Sequence, residues 1–290
     1  MNYLLIANPA SGSFIGREKI ALLLQYLNKN NINADLYLSE YKNSIINHCL
    51  KYKDKYDTII VSGGDGTINE TIQLAKYKSF NLGIIPAGTA NVLAKEFNIS
   101  EDNIFKAADL IVKGNTIPVN TWLANNRIFL LMLSAGIDSA ALENLNHKLK
   151  KHTGKFAYVY QTLKELIFSE KKIYSVNHQN NNVLTKQFFL MNITKYAGNY
   201  KIKRNGGYTS GQLELIYFET FSVFKFLKFA SHLFFNLNTD SLNFIQRFSA
   251  DTFEISNSGA LDNAPVQFDG DSGLYTPLQI KYNNTINIFS

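Results

Sequence analysis

The 290-residue sequence is 46% apolar and 18% charged, a composition that builds a globular core and excludes a disordered chain. Its length suits two domains, with one large domain as the alternative. The formal net charge of +6 and pI near 9.1 favour anionic partners such as nucleotides, acidic lipid surfaces or nucleic acid, without bearing on fold. The single cysteine, Cys49, cannot form an internal disulfide and lacks the clustered spacing of a zinc site, which fits a reduced, cytoplasmic setting. No basic leader opens the chain and its first apolar stretch stops at Asn8-Pro9, which argues against a signal peptide. The longest strongly apolar run, Ile128 to Ile137, is too short to span a bilayer.

In chain order, Tyr3 to Ala7 reads as a strand buried on both faces. Ile20, Leu23, Leu24 and Leu27 then mark one face of a helix. A strand at Ala34 to Leu38, a helix near Ser44 to Tyr52 and a strand from Asp57 follow. A helix from Thr67 to about Lys76, a strand at Leu82 to Ile85 and a helix from about Ala90 complete the alternation. Repeated β-α units predict a parallel sheet covered by helices. From about residue 116 strands dominate, at 116–123, 127–134, 174–177, 185–194, 213–218, 247–255, 266–269 and 276–281. That pattern predicts a mainly antiparallel second domain with helical inserts at 143–169 and 221–236.

Three loops follow predicted parallel strands: Asn8-Pro9-Ala10-Ser11-Gly12-Ser13, Gly63-Gly64-Asp65-Gly66-Thr67 and Pro86-Ala87-Gly88-Thr89-Ala90-Asn91. In an open parallel sheet ligands bind beyond the carboxyl ends of the strands, where these loops meet, and unpaired N–H groups at helix starts suit phosphate. Thr67-x-x-Glu70 also fits a capping box, which accounts for those two residues but not for the glycines around Asp65. Such glycines imply positive φ or the close approach of a ligand. The dinucleotide fingerprint lacks its third glycine here, and no P-loop signature occurs.

Together with Phe268-Asp269-Gly270-Asp271, these loops resemble the diacylglycerol kinase catalytic-domain family, particularly the bacterial lipid kinases related to sphingosine kinases. The shared elements are Asn8-Pro9-x-Ser11-Gly12, Gly63-Gly64-Asp65-Gly66-Thr67-x-Asn69-Glu70 and Pro86-x-Gly88-Thr89-x-Asn91; NAD kinases share the second. Ala135-Gly136-Ile137-Asp138 and Lys151-x-x-Gly154-x-x-Ala157-Tyr158 match weaker family elements. The resemblance implies an α/β nucleotide domain over 1–118 and a β-sandwich lipid-substrate domain over 119–275. A last strand at about 276–290 returns to the first domain, and ATP binds in the cleft between the two.

It further implies that Asn8, Pro9, Ser11, Gly12 and Gly63 to Asn69 hold the ATP phosphates, with Glu70, Gly88, Thr89 and Asn91 beside them. Ser39 matches a nucleotide-contacting threonine, and Arg17 either approaches phosphate or is solvated. Asp65 would organise Mg²⁺, with Asp138 as a second metal contact, and Asp271 would be the catalytic base toward a lipid hydroxyl. Three departures stand out: Asp271 replaces the usual Glu, Val92 the usual Asp, and Ser210-Gly211-Gln212-Leu213 the family's Asp-Gly-x-Leu, so a secondary magnesium site there is expected to be absent or weakened.

The implied activity is transfer of the ATP γ-phosphoryl group to a lipid hydroxyl, diacylglycerol by default. A catalytically weak nucleotide-binding relative and an NAD kinase-like enzyme are the alternatives. Phe221 to Phe235, aromatic with Lys225 and Lys228 between, is either a helix packed into the second domain or one lying in a headgroup layer. The Lys-rich stretch His147 to Lys155 reads as a solvated face. The expectation is a cytoplasmic protein touching anionic membranes reversibly, without nucleic acid as a partner, its oligomeric state left open, a homodimer included.

Overall fold

The computed structural model describes every residue except 10, 12–15, 42, 146–154, 180, 197–199, 203–207 and 260–262. The chain forms two compact units, the first built from residues 1–121 and 283–290, the second from within 122–282.

The first unit alternates β1 (Tyr3–Ala7), α1 (Gly16–Lys29), β2 (Ala34–Leu38), α2 (Ser44–Lys51), β3 (Thr58–Gly63), α3 (Asp65–Ile72), β4 (Asn81–Pro86), α4 (Val92–Glu96) and α5 (Ile104–Lys113). Its parallel sheet runs β2-β1-β3-β4 and is extended by the end of β18 (Leu278–Phe289), where Asn287 and Ile288 pair with Asn81 and Leu82. All six residues of β3 are buried, as expected for a central strand covered on both faces, whereas edge strand β2 is half-exposed. Helix α1 turns Ile20, Leu23 and Leu27 inward. The sequence reading has no helix over 104–113. One forms there because the Asn103 side chain accepts the N–H groups of Phe105 and Lys106 and Gly114, at φ 77, closes the other end.

Strand register places the functional loops. Leu38, Ala7, Ser62 and Ile85 lie in one row across the sheet. The residues after them, Ser39, Asn8, Gly63 and Pro86, therefore sit side by side at its carboxyl edge.

The second unit is a sandwich of two antiparallel layers. It begins in β5 (Thr116–Ala124), then β6 (Arg127–Phe129), β7 (Met132–Ala135), α6 (Ile137–Glu143), α7 (Lys155–Phe168), β8 (Tyr174–His178), β9 (Asn181–Thr185), β10 (Phe188–Met191), β11 (Lys195–Tyr196) and β12 (Tyr200–Lys201). There follow β13 (Leu213–Phe218), α8 (Val223–Phe234), β14 (Ile245–Ala250), β15 (Thr252–Asn257), β16 (Pro265–Phe268) and β17 (Asp271–Tyr275). One layer runs β14-β13-β10-β7-β16-β17. The other pairs the start of β18 with β15, then β8 and β9, while β5 pairs with β6. Trp122, Phe129, Phe188, Phe253 and Phe268, drawn from both layers, fill the space between.

Two expected strands are each divided. The apolar run 127–134 splits into β6, paired with β5, and β7, paired with β10 and β16. The run 247–255 splits at Asp251 into β14 and β15, which belong to different layers. Strand 185–194 shortens to β10; within the insert 143–169 the described helix is α7, α6 lying earlier at Ile137–Glu143, with residues 146–154, including Lys151 and Gly154, outside the described residues.

Candidate functional site

In the first unit the loops after β3 and β4 pack backbone against backbone. A Cβ on Gly64 would stand 2.9 Å from the Gly88 Cα, and one on Gly88 2.5 Å from the Gly64 Cα, so neither position admits a side chain. A Cβ on Gly63 would meet Thr67 at 2.6 Å. The glycines thus serve close approach between loops; none of Gly63, Gly64, Gly66 and Gly88 has positive φ. Gly66 is different. A Cβ there would meet nothing within 4 Å, in the first turn of α3. The N–H groups of Asp65 and Gly66 at that helix start precede any intrahelical acceptor, which makes the turn a cradle for an anion. At the foot of the same loop the Ser62 hydroxyl is buried without a hydrogen-bond partner.

The capping box expected from Thr67-x-x-Glu70 does not form. Helix α3 starts two residues earlier, at Asp65, with Gly64 as its N-cap, so Thr67 is already inside the first turn and its N–H bonds the Gly64 carbonyl. The Thr67 hydroxyl instead accepts from the Asn8 amide at 2.9 Å, tying the β1 loop to α3. The Glu70 carboxylate reaches another helix: its Oε1 accepts the N–H groups of Ile45 at 2.8 Å and Ile46 at 3.3 Å, capping α2.

Asp65 acts similarly on α4. Its Oδ1 accepts the Leu93 N–H at 3.3 Å. Burial pushes its carboxyl above the usual range, opposed by the backbone N–H groups of Val92 and Leu93 and by the charge of Lys95. Asn91, buried and at φ 47, clasps Gly88 through both its N–H and carbonyl and donates to Glu101 at 2.7 Å. Lys95 pairs with Glu101 at 3.3 Å and donates to the Ala90 carbonyl. Asn69 is buried within α3, while Thr89, Arg17 and Pro9 are exposed. The Ser11 N–H closes a turn onto Asn8, and Ser39 bonds the Ala7 carbonyl just past β2. Gly12 lies outside the described residues.

The second unit holds Asp271 at the start of β17, half-buried and paired with Phe268 across a tight turn. Its neighbour Asp269, which sequence reasoning gave no role, organises that turn. The buried Asp269 carboxylate accepts the N–H groups of Leu130, Leu131 and Met132 at 2.7, 2.8 and 2.9 Å. Burial pushes it up to about 7, against those three donors, and the Asp271 charge adds to the rise. Gly270 bonds the Gln267 side chain at 3.0 Å, Gln267 donates to Ser134 at 2.9 Å, and Ser134 bonds Asp138. The other Asp138 oxygen accepts from Gln187 at 3.0 Å. Burial raises the Asp138 carboxyl, with Ser134 and Gln187 opposing.

Both Asp138 oxygens are therefore committed to a buried network that supports the Asp271 turn. Among the described residues no group of three or more His, Cys, Asp and Glu converges on a point. The donor set fits a magnesium ion that arrives on nucleotide phosphates, since Mg²⁺ typically takes one or two carboxylates and completes its shell with phosphate and water. At Ser210-Gly211-Gln212-Leu213 the serine hydroxyl closes a turn on Gln212.

An open parallel sheet with glycine loops gathered at its carboxyl edge, followed by an antiparallel sandwich, defines a two-unit protein of α/β and β build. Residues 2–124 match the family model described as the diacylglycerol kinase catalytic domain. The "Diacylglycerol kinase" of Bacillus subtilis is 25% identical over 233 residues, 78% of this chain and 77% of that protein. Its namesake in Staphylococcus carnosus is 28% identical over 165 residues, 56% of this chain and 54% of the relative, so the match spans about half that protein's length. A solved structure titled as a diacylglycerol kinase from Bacillus anthracis superposes with a TM-score of 0.79 at 23% identity, covering 98% of this chain and 96% of that one. A second structure from the same organism gives 0.83 at 24%, covering 98% and 94%. At those identities they establish the fold.

Proposed function

We propose that the protein is an ATP-dependent lipid kinase that moves the γ-phosphoryl group to a lipid hydroxyl, with diacylglycerol as acceptor and phosphatidic acid as product. The observation that carries this reading is the open first turn of α3 at Gly66, walled by the Gly64–Gly88 contact and footed by the unpartnered Ser62 hydroxyl. Phosphate oxygens supply acceptors to the N–H groups of Asp65 and Gly66, which have none within the helix. Asn8, through Thr67, and Asn91, through Gly88, hold the three loops in place around that turn.

Phosphoryl transfer requires positioning and charge neutralisation more than covalent chemistry by the protein. Mg²⁺, when bound with the nucleotide, would supply the neutralisation, and Asp65 would be the carboxylate of the first unit that orients it. Asp271 accepts the proton of the lipid hydroxyl as that oxygen bonds to the γ-phosphorus and the bond to ADP breaks. The buried chain Gly270–Gln267–Ser134–Asp138 and the Asp269 clamp hold the turn that carries it.

Labelled ATP incubated with a total lipid extract tests the reading, using wild type, Asp65→Ala and Asp271→Ala. One labelled lipid migrating with phosphatidic acid is expected for wild type and very little for either variant. Full activity in Asp271→Ala refutes the proposed base. Phosphorylation of NAD without lipid would assign the NAD kinase-like reading, and ATP binding without transfer the catalytically weak one.

A further inference from the structure

Helix α8 has two apolar faces. Its inner face buries Phe226, Phe229 and Leu233, with Phe229 packed edge-on against Phe218 at 5.2 Å and stacked near Phe189 at 5.6 Å. That burial already accounts for the helix as a core element. Yet the opposite face leaves Phe224 75%, Leu227 44%, Phe234 63% and, just past the helix, Phe235 67% exposed. Phe224, Leu227, Phe234 and Phe235 fall at i, i+3, i+10 and i+11 on one side of the helix, with the exposed Ser231 between the two pairs and Lys228 beside them. A stripe of large apolar side chains on a folded surface marks an interaction site.

The charge around the stripe identifies what covers it. Residues 220–238 contain no acidic side chain. Lys225 leans over the Phe244 ring at 5.5 Å, Lys228 is exposed beside the stripe, and Lys201 is exposed on β12, whose Tyr200 ring lies 6.2 Å from that of Phe234. Of the acids just beyond, Asp240 and Glu214 are paired with Arg247 at 2.7 and 3.1 Å, and the exposed Glu219 accepts from the Gln246 amide at 3.2 Å. Protein–protein interfaces are depleted in lysine, whereas a helix with phenylalanine and leucine on its outer face and lysines beside them suits the phosphate and acyl boundary of a bilayer.

We propose that the outer face of α8 docks on an anionic phospholipid bilayer, with Phe224, Leu227, Phe234 and Phe235 entering the headgroup–acyl boundary and the lysines facing lipid phosphates. The inference rests on the lipid-kinase reading only for its purpose; the docking itself requires neither ATP nor turnover. Among the described residues no helix is long and apolar enough to cross a membrane.

Co-sedimentation with vesicles of phosphatidylglycerol and phosphatidylcholine in equal parts, and of phosphatidylcholine alone, tests it. Wild type is expected to bind the anionic vesicles preferentially and to be released by salt. Phe224→Asn combined with Phe235→Asn should lower that affinity on the order of 30-fold, with an unchanged circular dichroism spectrum and melting midpoint. Lys228→Gln should lower it about fivefold. Equal binding by wild type and the double variant overturns the proposal, as does wild type that ignores both vesicle types. Sedimentation velocity without vesicles supplies the remaining arm: a wild-type dimer that the double variant abolishes makes the stripe a self-association face and also overturns it. Vesicle binding that survives when no lipid is phosphorylated leaves docking intact and refutes the kinase reading. Normal phosphorylation of a water-soluble short-chain diacylglycerol by the double variant separates docking from chemistry.

Discussion

Two glycines twenty-two positions apart should respond oppositely to alanine. At Gly66 a Cβ meets nothing within 4 Å, and the residue lies in the first turn of α3 without positive φ. Alanine there adds no clash and removes backbone freedom from the unfolded chain, so Gly66→Ala should raise stability by about 0.5–1 kcal/mol. In a chain of this size that is a rise of roughly 1–3 °C in melting midpoint. The same methyl group would occupy the space assigned here to phosphate, so ATP affinity should fall while stability rises. At Gly88 the new Cβ would lie 2.5 Å from the Gly64 Cα and 2.7 Å from the Asn91 Oδ1. That is roughly 1 Å inside ordinary contact, against backbone that has no side chain to move aside. Overpacking of this kind costs about 1–3 kcal/mol, and a displacement of about 1 Å in a positioned site can lower rates by as much as ~10²-fold. Melting curves followed by circular dichroism, with titration calorimetry of ATP, read both effects. A Gly66→Ala variant that is stabilised and still binds ATP as wild type does would show that the open space is not the phosphate cradle.

Two further outcomes follow from carboxylates that sequence reasoning placed elsewhere or left without a role. Glu70→Ala should cost about 1 kcal/mol by uncapping α2 and speed amide exchange at Ile45 and Ile46 roughly fivefold, with Glu70→Gln restoring most of it; unchanged exchange at those two amides would show that the cap contributes nothing. Asp269, raised to about 7 from about 3.9 in an unfolded chain, binds more protons folded than unfolded between those values. Its contribution to stability is therefore full below about pH 4 and is lost as pH rises through about 7. The urea midpoint of wild type should fall between pH 5 and 8 more steeply than that of Asp269→Asn, and parallel slopes would show the carboxylate ionised throughout.

The loops were legible because their cause is local. Gly63, Gly64 and Gly88 announce a close approach in the sequence itself, and the three β-α turns that carry the loops fix which edge of the sheet they reach. The capping box misled for the same reason. Thr67 and Glu70 have the right spacing, but the helix start is decided by Asp65 and Gly64, and Glu70 finds a better use twenty-five residues away on α2. Nothing in an uninterrupted run from Ile128 to Leu133 marks its break. The break is stabilised by Asp269, 139 residues on from Leu130, whose carboxylate satisfies the N–H groups that a continuous strand would have paired. Long-range polar contacts of this kind leave no periodicity to read.

The aromatic helix makes the same point about surfaces. Its sequence admits both a core helix and a membrane helix, because phenylalanine recurs all round it. Packing against Phe189 and Phe218 decides which three side chains are inside, and only then do Phe224, Leu227, Phe234 and Phe235 become a separate outward stripe. The two readings are not rivals: the inner face anchors the helix to the sandwich, and that anchorage is what holds the outer face rigid enough to serve as a docking surface. Arg247 reinforces it from the far end, since its contacts with Asp240 and Thr239 pin the turn that follows α8 to strand β14. A helix that merely frayed into the bilayer would lose ordering entropy on binding, whereas one already held by its other face does not.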